Sequence, residues 1–361
     1  MQGEINKSNR VSSLDYLRGI AACGIMVYHY FSWNFRIYNA DDFLGRVGIY
    51  GVSVFYVLSG LTLFLVYAPT FKEPASATKA FYIKRLFRIF PLMWLATIFS
   101  IILFKIDYST EVLVNNFTGA FSIYKIDTYI ATGAWSIGNE IAFYLFFPIL
   151  MFAYGKNDKL MVILSVLLIL LSLAFAFIYV DKTKLIKDEW HDYINPVNQG
   201  CLFVGGMLIG YFFCDSRPSV WLLRIIGFLA LITFVIYPVS GDRIMLIEGF
   251  TRVVFVLLSF MVVIWFFKEP LFLLGRNLIS RFFSFLGETS YSIYLIHPII
   301  YGFLQYMAIY TSIGNVWVRI FISALVTLLI SYLTFRFFEK PFIRWGARFS
   351  SYVNKNKSIH V

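Results

Sequence analysis

Charge is what this chain has least of. Only 14% of its 361 residues are Asp, Glu, Lys or Arg, while 59% are hydrophobic. A water-soluble domain carries about 25% charged residues, so the deficit excludes an ordinary soluble core. Cysteine is also scarce. Cys23, Cys201 and Cys214 all lie in or beside apolar runs, which argues against a disulfide framework and reads as small buried hydrophobes. The N-terminal stretch MQGEINKSNRVSS lacks the apolar region and small-residue cleavage site of a signal peptide, so the first apolar run is expected to be retained. No repeat, low-complexity tract or long flexible linker interrupts the sequence. A single membrane domain over 1–361 is expected, with short tails near 1–13 and 343–361 and no appended soluble domain.

Long apolar runs are what the chain does have. They lie near 14–34, 46–68, 86–105, 136–154, 159–180, 199–214, 220–238, 250–267, 283–306 and 316–337. Crossing a bilayer takes about 20 such residues per helix. Barrel strands alternate and are only about 10 residues long, which leaves a helical bundle as the way to satisfy the backbone in lipid. The predicted fold is therefore all-α, a polytopic bundle of roughly ten transmembrane helices. The net charge of +11 is unevenly spread: with residue 1 inside, the inner loops, tails and helix ends carry 21 Lys/Arg and the other side 10. This is the positive-inside bias, and it predicts that both termini face the cytoplasm. The basic excess is thus a topology signal before it is a nucleic-acid one. It also suits anionic lipid headgroups or a phosphorylated cytoplasmic ligand.

Two outward loops, 107–134 and 181–198, are long, as functional loops often are. The second places Trp190, His191 and Tyr193 beside several acids. That pattern suits a sugar or, alternatively, a membrane interface. Asn116-Phe-Thr is a formal glycosylation sequon, read here as chance. GMLIG (206–210) and Ser59-Gly60 read as close helix packing.

A charged residue in mid-span costs about 2.5–3.5 kcal/mol on insertion scales and is a functional candidate by default; near a span end, a long side chain snorkels to the interface. Arg18 lies near the inner end of the first run and His29 near the outer end. Eleven residues are three helical turns plus roughly 20°, so the two share a face and stand about 16 Å apart along the axis. Each alone reads as an interfacial side chain; together they put a cation and a proton-transfer group on one wall. Arg85 and Arg88, in KRLFRIFPLMWL, are helix-face neighbours. They read as topology-setting charge or as a guanidinium pair for phosphate. Glu140, in AWSIGNEIAFYLFFP behind Trp135, Ser136 and Asn139, reads as a structural partner of an arginine or as the group that orients His29. His297 precedes Pro298 inside a run, which reads as a packed histidine at a kink or as part of a cavity lined by a broken helix. The histidines number four, at 29, 191, 297 and 360. FFEKPFIRW (337–345) reads as a helix stop and anchor at Glu339, Lys340 and Pro341.

Taken in order, LDYLRGIAACGIMVYH, GVSVFYVLSG, KRLFRIFPLMWL, WSIGNEIAFYLFFP, YSIYLIHP and FFEKPF resemble the acyltransferase 3 family of integral membrane acyltransferases, over about 15–342. The resemblance implies roughly ten transmembrane helices and transfer of an acyl group, commonly acetyl, from cytoplasmic acyl-coenzyme A to a cell-envelope polysaccharide or lipid-linked sugar. It also implies a place in the bacterial inner membrane. Family motif positions fall on Arg18, His29, Arg85, Arg88, Trp135 and Glu140. Ser53 and Leu61 depart from the residues more usual around the serine-glycine motif. Some members carry an appended extracytoplasmic hydrolase-like domain; here the membrane domain is expected to act alone or with a separate acyl-accepting protein.

On that basis Arg18, Arg85 and Arg88 are expected to hold the coenzyme phosphates. His29 is expected to act as general base or to carry the acyl group, with Glu140 setting its tautomer as in a hydrolase triad. Trp135, Ser136 and His297 are candidates for contacting substrate or the oxyanion. No metal is expected. A secondary transporter is the rival from another class, although internal repeats with paired broken helices are not found; a glycan or lipid flippase is the second rival.

Overall fold

The computed structural model describes residues 12–69, 71, 74–269, 278–311 and 314–355. The polar N-terminal stretch to residue 11 and His360 lie outside these. The described residues form α1 (Ser12–Asn34), α2 (Phe43–Tyr67), α3 (Pro74–Phe104), α4 (Thr110–Thr118), α5 (Ala134–Lys156), α6 (Asp158–Ala174), α7 (Trp190–Ile194), α8 (Pro196–Phe213), α9 (Val220–Ile236), α10 (Gly249–Lys268), α11 (Leu278–Thr311), α12 (Val316–Thr334) and α13 (Lys340–Lys355). Seven helical stretches among them are long and apolar enough to cross a membrane, and Val220–Ile236 is a shorter apolar helix. α1 and α11 have the length, 23 and 34 residues, but interleave the polar side chains that make the site. Together these helices coincide with the apolar runs of the sequence.

Contacts along the helices fix their directions. α1 and α11 run side by side in the same sense, with Gly19 against Leu286 and Gly287 at one end and His29 against His297 further along. α2 runs back along α1, so that Arg18 meets Thr62. α5 and α8 follow α2: Ser59 meets Tyr144, and Gly206 meets Val57. α3 follows α11, Tyr291 donating to Ile89 O at 2.9 Å. The α2–α8 contact is as close as the small residues imply. A Cβ on Gly60 would stand 1.9 Å from Phe203 O, and one on Gly206 2.0 Å from Val57 O, so only glycine lets the two backbones touch.

Three local expectations are corrected. Glu339-Lys340-Pro341 does not stop the helix: α12 passes through a π turn, Phe335–Glu339, into α13. The wider π turn gives room where the Pro341 ring would otherwise meet the preceding turn. The stretch from 343 is thus helical to Lys355, packing Gly346 against Phe87 of α3. Pro298 does not break α11 either; the helix runs unbroken through it. The loop 107–134 also carries α4. Its sequon residue Asn116 is buried, donating to Val112 O and Thr128 O and accepting from Ile130 N, which explains the asparagine as a loop clamp.

Candidate active site

One end of the site is a cleft between α1, α2, α3, α5 and α11. Arg18, Arg85, Arg88 and Glu140 line it together with Ser59, Thr62, Tyr144 and Tyr291. The helical spacing explains the convergence: Arg85 and Arg88 share a face of α3, and Glu140 and Tyr144 share one of α5. Arg18 Nη2 donates to Thr62 Oγ1 at 2.9 Å and to Leu58 O at 3.4 Å, while Nη1 pairs with Asp15 at 3.2 Å. The Arg85 guanidinium lies 5.7 Å from the Tyr144 ring centroid, and its Nε is buried without a hydrogen-bond partner. Arg88 is exposed. Tyr144 Oη donates to Glu140 at 2.9 Å, and all three arginines act electrostatically on that carboxylate. Three guanidiniums thus face Glu140, with Asp15 committed to Arg18. The balance is positive, and arginine forks are matched to phosphate or carboxylate.

The cleft runs inward to Phe55, Ser136 and Tyr294. The hydroxyls of Ser136 and Tyr294 are 2.8 Å apart, and Tyr294 Oη donates to Gly133 O at 3.1 Å. One helical turn beyond Tyr294 is His297, the two ring centroids 6.3 Å apart. His297 Nε2 lies 2.9 Å from His29 Nδ1. His29 is half-buried, and Trp33 stacks on it with centroids 5.0 Å apart and planes 3° from parallel. Arg243, from the segment between α9 and α10, donates to Tyr28 Oη and acts electrostatically on His29.

The structure therefore gathers Arg18, Arg85, Arg88, Glu140 and Ser136 in one cleft, and His29 and His297 just past its inner end. It does not bring Glu140 to His29: the carboxylate sits among the arginines, and the imidazole's partner is His297. Trp135 also lies apart from the cleft lining. It is buried against Trp190 and Tyr193, with centroids at 5.6 and 5.4 Å, while Trp190 Nε1 donates to Tyr129 Oη at 3.0 Å. The aromatic cluster of the second long loop thus packs on α5. Tyr144 and Tyr294 were missed by sequence reading, although each stands one turn from a candidate, Glu140 and His297. Nothing in the sequence marks Arg243.

The sequence pattern of the acyltransferase 3 family, an acyltransferase domain, matches residues 11–336. This chain belongs to that family. It is 25% identical to the peptidoglycan O-acetyltransferase OatA of Listeria monocytogenes, over 97% of this chain and 58% of that protein. It is 25% identical to the O-acetyltransferase OatA of Staphylococcus aureus, over 96% of this chain and 59% of that protein. The chain thus spans about three-fifths of the length of these relatives. No solved structure matches it significantly. Within the family pattern, the apolar helices make this a multi-pass membrane protein.

Proposed function

We propose that the protein is a membrane O-acetyltransferase that takes an acetyl group from cytoplasmic acetyl-coenzyme A and places it on a hydroxyl of a cell-envelope glycan, with both termini in the cytoplasm. The observation that carries this reading is the polarity of the site: an arginine-lined mouth at one end, and a histidine one turn beyond the other. Coenzyme A has the same polarity, with phosphates at one end and the thioester at the other. Arg18, Arg85 and Arg88 hold the phosphates, and the pantetheine arm lies along the wall of Tyr56, Ser59 and Tyr291. The thioester carbonyl then stands near Ser136 and Tyr294. The family membership and the names of the relatives support acyl transfer to an envelope glycan.

His29 acts as general base in this reading. It takes the proton from the acceptor hydroxyl, whose oxygen adds to the thioester carbon. Collapse of the tetrahedral intermediate breaks the C–S bond, and the leaving thiolate takes that proton from the imidazolium. Ser136 and Tyr294 supply the oxyanion donors, their hydroxyls turning from each other and from Gly133 O as charge develops on the carbonyl.

The test compares membranes carrying wild-type protein with membranes carrying His29→Ala, matched for folded protein and supplied with labelled acetyl-coenzyme A. Label entering envelope glycan in the wild type, lost in the variant with donor binding retained, is the expected result. Equal transfer by both removes His29 from the chemistry. Translocation of glycan or solute without thioester loss turns the reading toward a transporter or flippase.

A further inference from the structure

We infer that His297 is a positioning residue that locks His29 in the tautomer carrying its proton on Nδ1, leaving Nε2 bare to receive a proton. It rests on the proposed role of His29 as base.

The chain of donors is read from its far end. His297 Nδ1 is 2.9 Å from Ile293 O. A carbonyl can only accept, so Nδ1 of His297 carries the hydrogen. A neutral imidazole has one N–H and one lone pair. His297 Nε2 is therefore an acceptor. It lies 2.9 Å from His29 Nδ1, which must supply the hydrogen between them, so the lone pair of His29 is on Nε2. Pro298 contributes through the backbone. It has no N–H for the carbonyl one turn earlier, that of Tyr294, and this carbonyl also faces the His297 ring. The dipeptide His297-Pro298 thus provides the ring and a spare acceptor that holds its orientation. Tyr30 Oη, bonded to Thr327 of α12, donates to His297 O at 3.3 Å and braces the same turn.

The ordering matches what a carboxylate does for a triad histidine, fixing which nitrogen faces the substrate. The difference is charge. A carboxylate would stabilise the imidazolium formed when His29 takes a proton; a neutral imidazole only accepts the Nδ1 hydrogen. The charged and titratable groups facing the pair are Tyr28 and Tyr30 of α1, Tyr294 of α11, and Arg243, with Tyr301 stacked behind Tyr30. No carboxylate is among them within the described residues.

The test is a histidine-selective nitrogen-15 spectrum of the full chain in lipid nanodiscs, which reports which ring nitrogen is protonated. With four histidines in the chain, single substitutions assign the signals. In the wild type, His29 is expected to show a protonated Nδ1 and a bare Nε2. His297→Ala is expected to release it into both tautomers and to lower kcat on the order of 10²-fold, with KM for acetyl-coenzyme A unchanged. His297→Gln, whose amide oxygen can stand near the former Nε2, is expected to restore both the tautomer and most of kcat. Wild-type His29 protonated on Nε2 overturns the proposal, as does a His297→Ala protein with unchanged tautomer or unchanged kcat. The spectrum needs neither donor nor acceptor. A wrong tautomer with intact transfer therefore defeats the positioning role alone, while a correct tautomer without transfer defeats the acetyltransferase reading alone.

Discussion

At the mouth of the cleft, Arg18, Arg85 and Arg88 from two helices stand against Glu140 and are steadied by Thr62, Leu58 O, Asp15 and the Tyr144 ring. Past its inner end, His29 and His297 meet from α1 and α11 with a tryptophan stacked over one ring. The mouth is rich in fixed charge, with Glu140 and the Arg18-bound Asp15 set against three cations. The inner end is built from neutral rings whose hydrogen positions follow from one another. Fixed charge suits binding of an anion that must come and go; a neutral pair with one bare nitrogen suits a proton that must move. The carboxylate–histidine pairing familiar from hydrolase triads is no guide here, because the acid belongs to the mouth.

The largest effect is expected for His29→Ala, about a 10³-fold loss of kcat, within the usual range for a general base. Donor affinity, measured by titration of acetyl-coenzyme A, should be unchanged; weaker donor binding would merge the two ends. Next, Arg85→Ala and Arg88→Ala should each weaken donor binding by roughly 10–100-fold, as loss of a charged hydrogen bond of about 1.5–3 kcal/mol implies. The kcat at saturation should be spared. Glu140→Gln should tighten donor binding by about threefold, because a charge of the same sign as the phosphates leaves their site. The pH profile of kcat should stay where it was, and a moved profile would return Glu140 to His29. Gly206→Ala touches neither end. It should cost about 1–3 kcal/mol, as overpacking does, seen as a lower Tm with the kinetics of the surviving folded enzyme intact.

The helices were legible because apolar runs of membrane length leave the backbone few other choices. Legible too were the Gly60 and Gly206 contacts and the shared face of Arg85 and Arg88, the last from helical spacing; that Arg18 joins them was expected from the family resemblance alone. What could not be read was which helix face meets which. Glu140 and His297 were both candidates to approach His29. Only the rotation of α5 and α11 in the bundle, set by packing of many side chains, distinguishes them. The π turn before α13 was hidden for a similar reason: proline after a charged pair looks like a stop until the wider turn gives it room. Arg243 arrives from a segment more than two hundred residues from Tyr28 in the chain, and no local pattern foretells that.

The crossing of α1 and α11 has a mechanical consequence. A Cβ on Gly19 would stand 2.6 Å from Leu286 Cβ, and one on Gly287 2.3 Å from Asp15 O. That backbone contact is a fulcrum, and the two imidazoles ride the far arms of the lever, ten residues away on each helix. A side chain wedged at the fulcrum would spread the arms and part the rings without touching either histidine. In the proposed mechanism, proton transfer at one end of this protein therefore depends on the absence of two methyl groups near the other.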